Sequence, residues 1–153
     1  MADVAAELAV RAFLVGKFPG LAQTPFEVTS DPTPIYNCIA WAAGDQQSFW
    51  WPGHGSGYFW PPSVPRAVTR DAFIRAFGRL RYRVCLSPDL EDGYEKVALY
   101  EFGGEPTHAA RLMPDGRWSS KLGQSHDIAH SLDALNGDEY GAPVIFLRRP
   151  IIA

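Results

Sequence analysis

The chain has 153 residues, 46 % hydrophobic and 20 % charged, with a formal net charge of −3. That length suits one domain, 1–153, with a real core, and the composition argues against disorder. No basic face or stripe is present to meet a nucleic acid, and no apolar run is long enough to span a membrane.

Residues Met1 to Val15 read as an amphipathic helix with Val4, Leu8, Ala12 and Val15 on one face and Gly16 at its end. The basic-then-apolar layout of a secretory signal is missing there, so the expected location at synthesis is the cytoplasm; export by a dedicated machine would leave no trace. A Pro- and Thr-rich loop follows, from Phe18 to Pro34. Tyr36-Asn37-Cys38-Ile39-Ala40-Trp41-Ala42-Ala43 then reads as a short apolar helix with Asn37 as its N-cap.

Phe49 to Pro62 holds six aromatic rings interrupted by glycines and prolines, which predicts an irregular loop. Its Trp50, Trp51 and Trp60 either line a cleft, stacking on a sugar or peptide, or roof the core. His54, between two glycines, reads as solvated. Thr69 to Leu80 predicts a second helix, capped by Thr69, with Ala72, Phe73, Ala76, Phe77 and Leu80 as its stripe.

Strands are expected at Arg81–Leu86, Lys96–Phe102, Thr107–Met113 and Arg117–Leu122, the last two joined by the turn Pro114-Asp115-Gly116. Ser125 to Leu135 reads as a helix with Ile128, Leu132 and Leu135 inward, and Pro143 to Arg149 as a final strand. Helices first and an antiparallel sheet second make the class α+β. Two cysteines are no disulfide framework, and Cys85, in an apolar strand, reads as a buried small hydrophobe.

Cys38 falls at the first turn of its helix, where the dipole and free N–H groups favour a thiolate. Seventy residues later, His108 begins a strand that a sheet packed on that helix can present to the thiol. The turn sets Leu112 opposite Trp118, Ala110 opposite Ser120 and His108 opposite Leu122. Ser120 then lies one diagonal step from His108 on the same face. A slip of one residue would put Ser119 and Lys121 there instead, and Gln124 and Asp127 follow closely, so the group orienting the imidazole stays open. Tyr36 and Asn37 carry donors suited to an oxyanion, although a helix cap also explains Asn37. Lys121 lies in a polar run, Ser119 to Gln124, that either contacts substrate or blunts an edge strand. His126 and His130 have a zinc-binding spacing, but Asp127 stands where Glu is needed and no third ligand is evident. They read as the polar face of a helix.

The Cys38 motif resembles that of CHAP amidases and NlpC-type cell-wall peptidases. Thr107 to Ser120 is similar to their His strand, glycine turn and return strand, and Lys96 to Tyr100 matches the strand before it. The likeness spans roughly residues 35 to 123. It implies a papain-like fold with the nucleophile helix on a C-terminal sheet, and amide hydrolysis through a thioester, with Cys38 as nucleophile and His108 as base. The implied partner is a peptide-like substrate or a protein, such as a peptidoglycan stem peptide, and no cofactor or metal is implied. Those families place His, Asn, Gln or Glu as the orienting residue, where this chain has Ser120. Glutamine deamidation or transglutamination suits the same machinery. The competing class is a non-catalytic binding module using the aromatic loop 49–62.

Overall fold

The computed structural model describes residues 4–53 and 57–152; His54, expected to be solvated, lies outside them. One antiparallel sheet organises the chain. Its strands are β1 (Glu27–Val28), β2 (Arg83–Cys85), β3 (Tyr94–Phe102), β4 (Glu105–Leu112), β5 (Trp118–Lys121), β6 (Asp127–His130) and β7 (Ala142–Pro150), in the spatial order β1-β6-β5-β4-β3-β7-β2. Three helices, α1 (Val4–Lys17), α2 (Cys38–Ala43) and α3 (Arg70–Gly78), complete an α+β architecture.

Both sheet faces are buried. Against one lie α2, α3 and the aromatic loop, in a core that includes Cys38, Phe73, Phe77, Val97, Leu99, Ala109 and Leu147. Against the other lie α1 and two 3-10 turns, Pro19–Ala22 and Leu132–Leu135, around Leu14, Tyr100, Ala110, Trp118 and Ile128. Strand alternation explains the division: Val97, Leu99 and Ala109 share the α2 face, and Ala98, Tyr100 and Ala110 the other.

Local chemistry fixes the α3 end of the first layer. The Thr69 hydroxyl accepts the Ala72 N–H, and Arg70 forks both carboxylate oxygens of buried Glu101 at 2.7 and 2.8 Å. The β4–β5 turn forms as expected. Gly116, at φ 88°, donates its N–H to Met113 O, and the pairs Leu112–Trp118 and Arg111–Ser119 follow. A bulge in β3 at Tyr100 bends the sheet where β7 begins, and there Gly141 lies so close that a Cβ would meet the Glu101 carbonyl oxygen at 1.8 Å.

Three readings need correction. Residues 125–135 are not a helix: β6 pairs with β5 on one side and β1 on the other, and only Leu132–Leu135 coils, as a 3-10 turn. Two neighbouring strands complete a backbone ladder there that helical spacing alone does not reveal. The buried side of α1 is Leu14, flanked by Val10 and Val15, while Val4 and Leu8 are exposed. Its apolar residues occupy several sides, so spacing misjudged the face. Cys85 lies on the edge strand β2, half-buried, with its thiol 3.6 Å from Ser87 O.

Candidate functional site

Asn37 builds the start of α2. Its Oδ1 accepts the N–H groups of Ala40 (3.2 Å) and Trp50 (3.0 Å), and its Nδ2 donates to Trp50 O (2.7 Å). All of that amide's contacts are architectural, so it serves as cap and clamp rather than as an oxyanion donor. Gly44, left-handed at φ 87°, ends the helix after six residues. Cys38 is thereby held against β4 and β5, only 6 % exposed.

The sheet parts beneath it. Met113 N–H bonds Arg117 O, and antiparallel alternation therefore aims the N–H groups of Arg111 and Ala109 at β5 as well. The β4–β5 ladder stops at Arg111–Ser119, whereas β5 stays paired to β6 as far as Lys121–Asp127. Ala109 N–H serves the Cys38 sulfur. The sulfur thus sits in a slot between β4 and β5, where a strand bond would otherwise lie.

His108, the residue before Ala109, faces the opposite side of the sheet. It packs edge-on to Tyr100 (5.1 Å between centroids) and flat against Tyr140 (4.0 Å, 11°). Its Nε2 meets Ser120 Oγ at 2.9 Å, a side-chain bond that spans the parted strands. Ser120 Oγ also lies 2.7 Å from His130 Nε2, and His130 Nδ1 lies 2.7 Å from Ser131 O. His108, Ser120 and His130 are wholly buried, and His108 Nδ1 has no hydrogen-bond partner among the described residues. Neither ring nitrogen of His108 bonds the thiol; Tyr140, stacked on the ring, has its pKa raised by burial first and then by its nearness to Cys38.

Burial decides the charges. It pushes the Cys38 thiol up to about 11, against the N–H groups of Ala109, Ile39 and Cys38 itself and the Lys121 ammonium, which favour the thiolate. The thiolate expected from the helix start is therefore absent from this closed form: six residues of helix do not offset a dry environment. Burial, reinforced by His130, holds His108 well below the ordinary histidine range, and burial lowers His130 to about 4. Thiol and both imidazoles are neutral at pH 7.

Ser120, among the open candidates, is the residue that contacts His108. Ser119 instead accepts from Trp41 Nε1 at 3.0 Å, on the α2 face. Asp127 Oδ2 accepts from the Tyr36 hydroxyl at 2.8 Å, also on that face, and burial and then Asp127 raise the Tyr36 pKa. Lys121 is buried beside them, donating to Ser125 O; burial lowers its pKa, opposed by the charges of Asp127 and Cys38. Tyr36 and Lys121 therefore adjoin Cys38 but are not open to solvent.

Trp50 and Trp60 belong to the core, not to a ligand platform. Their indole N–H groups bond Asp45 Oδ2 (2.8 Å) and Pro65 O (2.9 Å), and half-buried Trp51 sets its ring edge-on to Phe73. Among the described residues, no three His, Cys, Asp or Glu side chains converge as for a metal ion. His126 Nδ1 is spent on Ser125 Oγ at 2.8 Å.

Sequence reasoning missed His130 and Tyr140 as neighbours of His108. His130 lies opposite Trp118, on the face of Ser120, which was readable only had residues 127–130 been taken as a strand. No local signal marked Tyr140, which the chain brings back after β6.

No helix among the described residues is long and apolar enough to cross a membrane. No curated protein and no solved structure matches the chain. The family described as a domain of unknown function, DUF7689, matches residues 27–148, from β1 almost to the end of β7, and the chain belongs to that family.

Proposed function

We propose that this protein is a thiol-dependent hydrolase or acyltransferase acting on a peptide amide bond, with a papain-like organisation of its site. One observation carries the reading: the Cys38 sulfur lies against the Ala109 N–H, and Ala109 is the residue after His108 on β4, whose Nε2 bonds Ser120 and whose Nδ1 is unpartnered among the described residues. A nucleophile, a base and a group orienting the base are what such chemistry needs.

In the reaction, His108 Nδ1 takes the thiol proton as the sulfur attacks the carbonyl carbon. The C–N bond then breaks, and the amine leaves with the proton from His108. Water, activated by the same imidazole, cleaves the thioester and restores the thiol; an amine in place of water gives acyl transfer. In this reading the Cys38 N–H donates to the developing oxyanion. A peptidoglycan stem peptide is the substrate that the likeness to wall amidases implies.

Burial favours a second reading, in which the same groups are architecture and the thiol never meets a substrate. A peptidyl vinyl sulfone at neutral pH separates the two. The enzyme reading expects one adduct, at Cys38 by mass spectrometry, forming roughly 100-fold more slowly in His108→Asn. No adduct on the folded protein, or equal rates in the two proteins, overturns it.

A further inference from the structure

The protons along His130, Ser120 and His108 follow from acceptors alone. A carbonyl oxygen only accepts, so His130 Nδ1, at 2.7 Å from Ser131 O, carries that ring's proton. The neutral ring then offers a lone pair at Nε2, and the Ser120 hydroxyl, 2.7 Å away, donates to it. That spends the only proton of the hydroxyl. His108 Nε2, 2.9 Å from the same oxygen, must therefore donate, and His108 Nδ1 is left bare.

We propose that His130 is a positioning residue which, through Ser120, fixes His108 as its Nε2–H tautomer and keeps Nδ1 free to accept the Cys38 proton. The tautomer stands on its own; its use in acyl transfer rests on the function proposed above. This arrangement also accounts for a serine where an amide or carboxylate is the usual orienting group. A hydroxyl alone donates or accepts with equal ease and selects no tautomer, but one whose proton is committed to a second imidazole is an acceptor only. The flat contact with Tyr140 and the edge contact with Tyr100 hold the ring in plane while the hydrogen bonds choose its proton.

Nitrogen-15 NMR of histidine-labelled protein at pH 7 reads each ring nitrogen directly. His108 is expected to be protonated at Nε2 and bare at Nδ1. In His130→Leu the Ser120 hydroxyl loses its acceptor and can donate to His108 Nε2 as readily as accept from it, so a measurable share of His108 moves its proton to Nδ1. Modification of Cys38 by the peptidyl vinyl sulfone then slows in proportion to that share, and less than in His108→Asn. His130→Gln, whose carbonyl reaches toward the lost Nε2 position, keeps both the wild-type tautomer and most of the rate. A wild-type proton on Nδ1, or an unchanged tautomer in His130→Leu, overturns the proposal. Should the Leu variant not fold, Ser120→Ala breaks the same chain one link later: a shift of the His108 proton towards Nδ1 supports the assignment and an unchanged tautomer overturns it. The expected tautomers with a Cys38 that ignores the electrophile would support the role of His130 in fixing the proton and overturn the thiol chemistry.

Discussion

The two halves of the sheet are buried alike and built differently. Under α3, strands β3 and β7 present Val97, Leu99 and Leu147 to Phe73 and Phe77, and Arg70–Glu101 and Arg149–Glu95 hold the margins. Strands β5 and β6, with the neighbouring end of β4, bury His108, Ser119, Ser120, Lys121, Asp127 and His130. Apolar burial stabilises without needing partners, whereas each buried polar group costs free energy unless it is paired. The first half also buries Lys96 and Glu101, but each answers an ion partner at the margin, Glu91 and Arg70; the second concentrates desolvated, hydrogen-bonded side chains on adjacent strands, as functional sites do.

The widest separation between the halves is in packing. Phe73→Ala removes a fully buried ring that meets Trp51 and Trp60, and about 3–5 kcal/mol of stability should be lost, seen as a lower urea midpoint. The His108 tautomer should not change, because Phe73 lies on the other face. A tautomer that moved with Phe73 would mean that the halves are not independent.

Legibility in the sequence followed the same division. Caps and turns are local chemistry, so Asn37, Thr69 and Pro114-Asp115-Gly116 announced their places, and the turn register put Ser120 beside His108. Which face of the sheet α2 covers is not local. Strand alternation put His108 and Ala109 on opposite faces, but only the packed layers show that Ala109 faces Cys38. Residues 125–135 misled because Ile128, Leu132 and Leu135 have helical spacing, and the partners that make residues 127–130 a strand come from β1 and β5. The thiol's state was illegible for a related reason: the helix start is visible in sequence, while the dry slot that outweighs it is made by strands about seventy residues on.

Acid should act on the polar half. His130 titrates near 4 in the folded protein against an ordinary 6.5, so the unfolded chain binds the proton first. The stabilisation is complete above pH 6.5 and is lost as pH falls through 6.5 towards 4, to the extent of roughly 3 kcal/mol. His108, depressed further from the same ordinary value, loses stability over the same window and continues below it. Urea midpoints between pH 7 and 4.5 should fall for wild type, fall equally for Phe73→Ala, and fall about half as far for His130→Gln, where His108 alone remains. Equal slopes in wild type and His130→Gln would place the acid sensitivity elsewhere.

Alkali gives a smaller effect of opposite sign, on the thiol itself. Cys38 is raised to about 11 from 9.0, so the folded state holds its proton longer, and stability complete below pH 9 is lost as pH rises towards 11. Tyr82, raised to about 12 from 10.0, enters only above pH 10, which leaves the interval from 9 to 10 to the thiol. Lys121, shifted downwards by burial, tilts the curve the other way. The informative quantity is therefore the difference between wild type and Cys38→Ala, roughly 1 kcal/mol across that interval. Iodoacetamide at pH 8 should agree with it, modifying half-buried Cys85 well before Cys38 and both alike in urea. Were Cys38 to react first in the folded protein, the slot would open readily without substrate. The thermodynamic difference would still report the closed form, because a rare open state speeds alkylation without altering the dominant equilibrium.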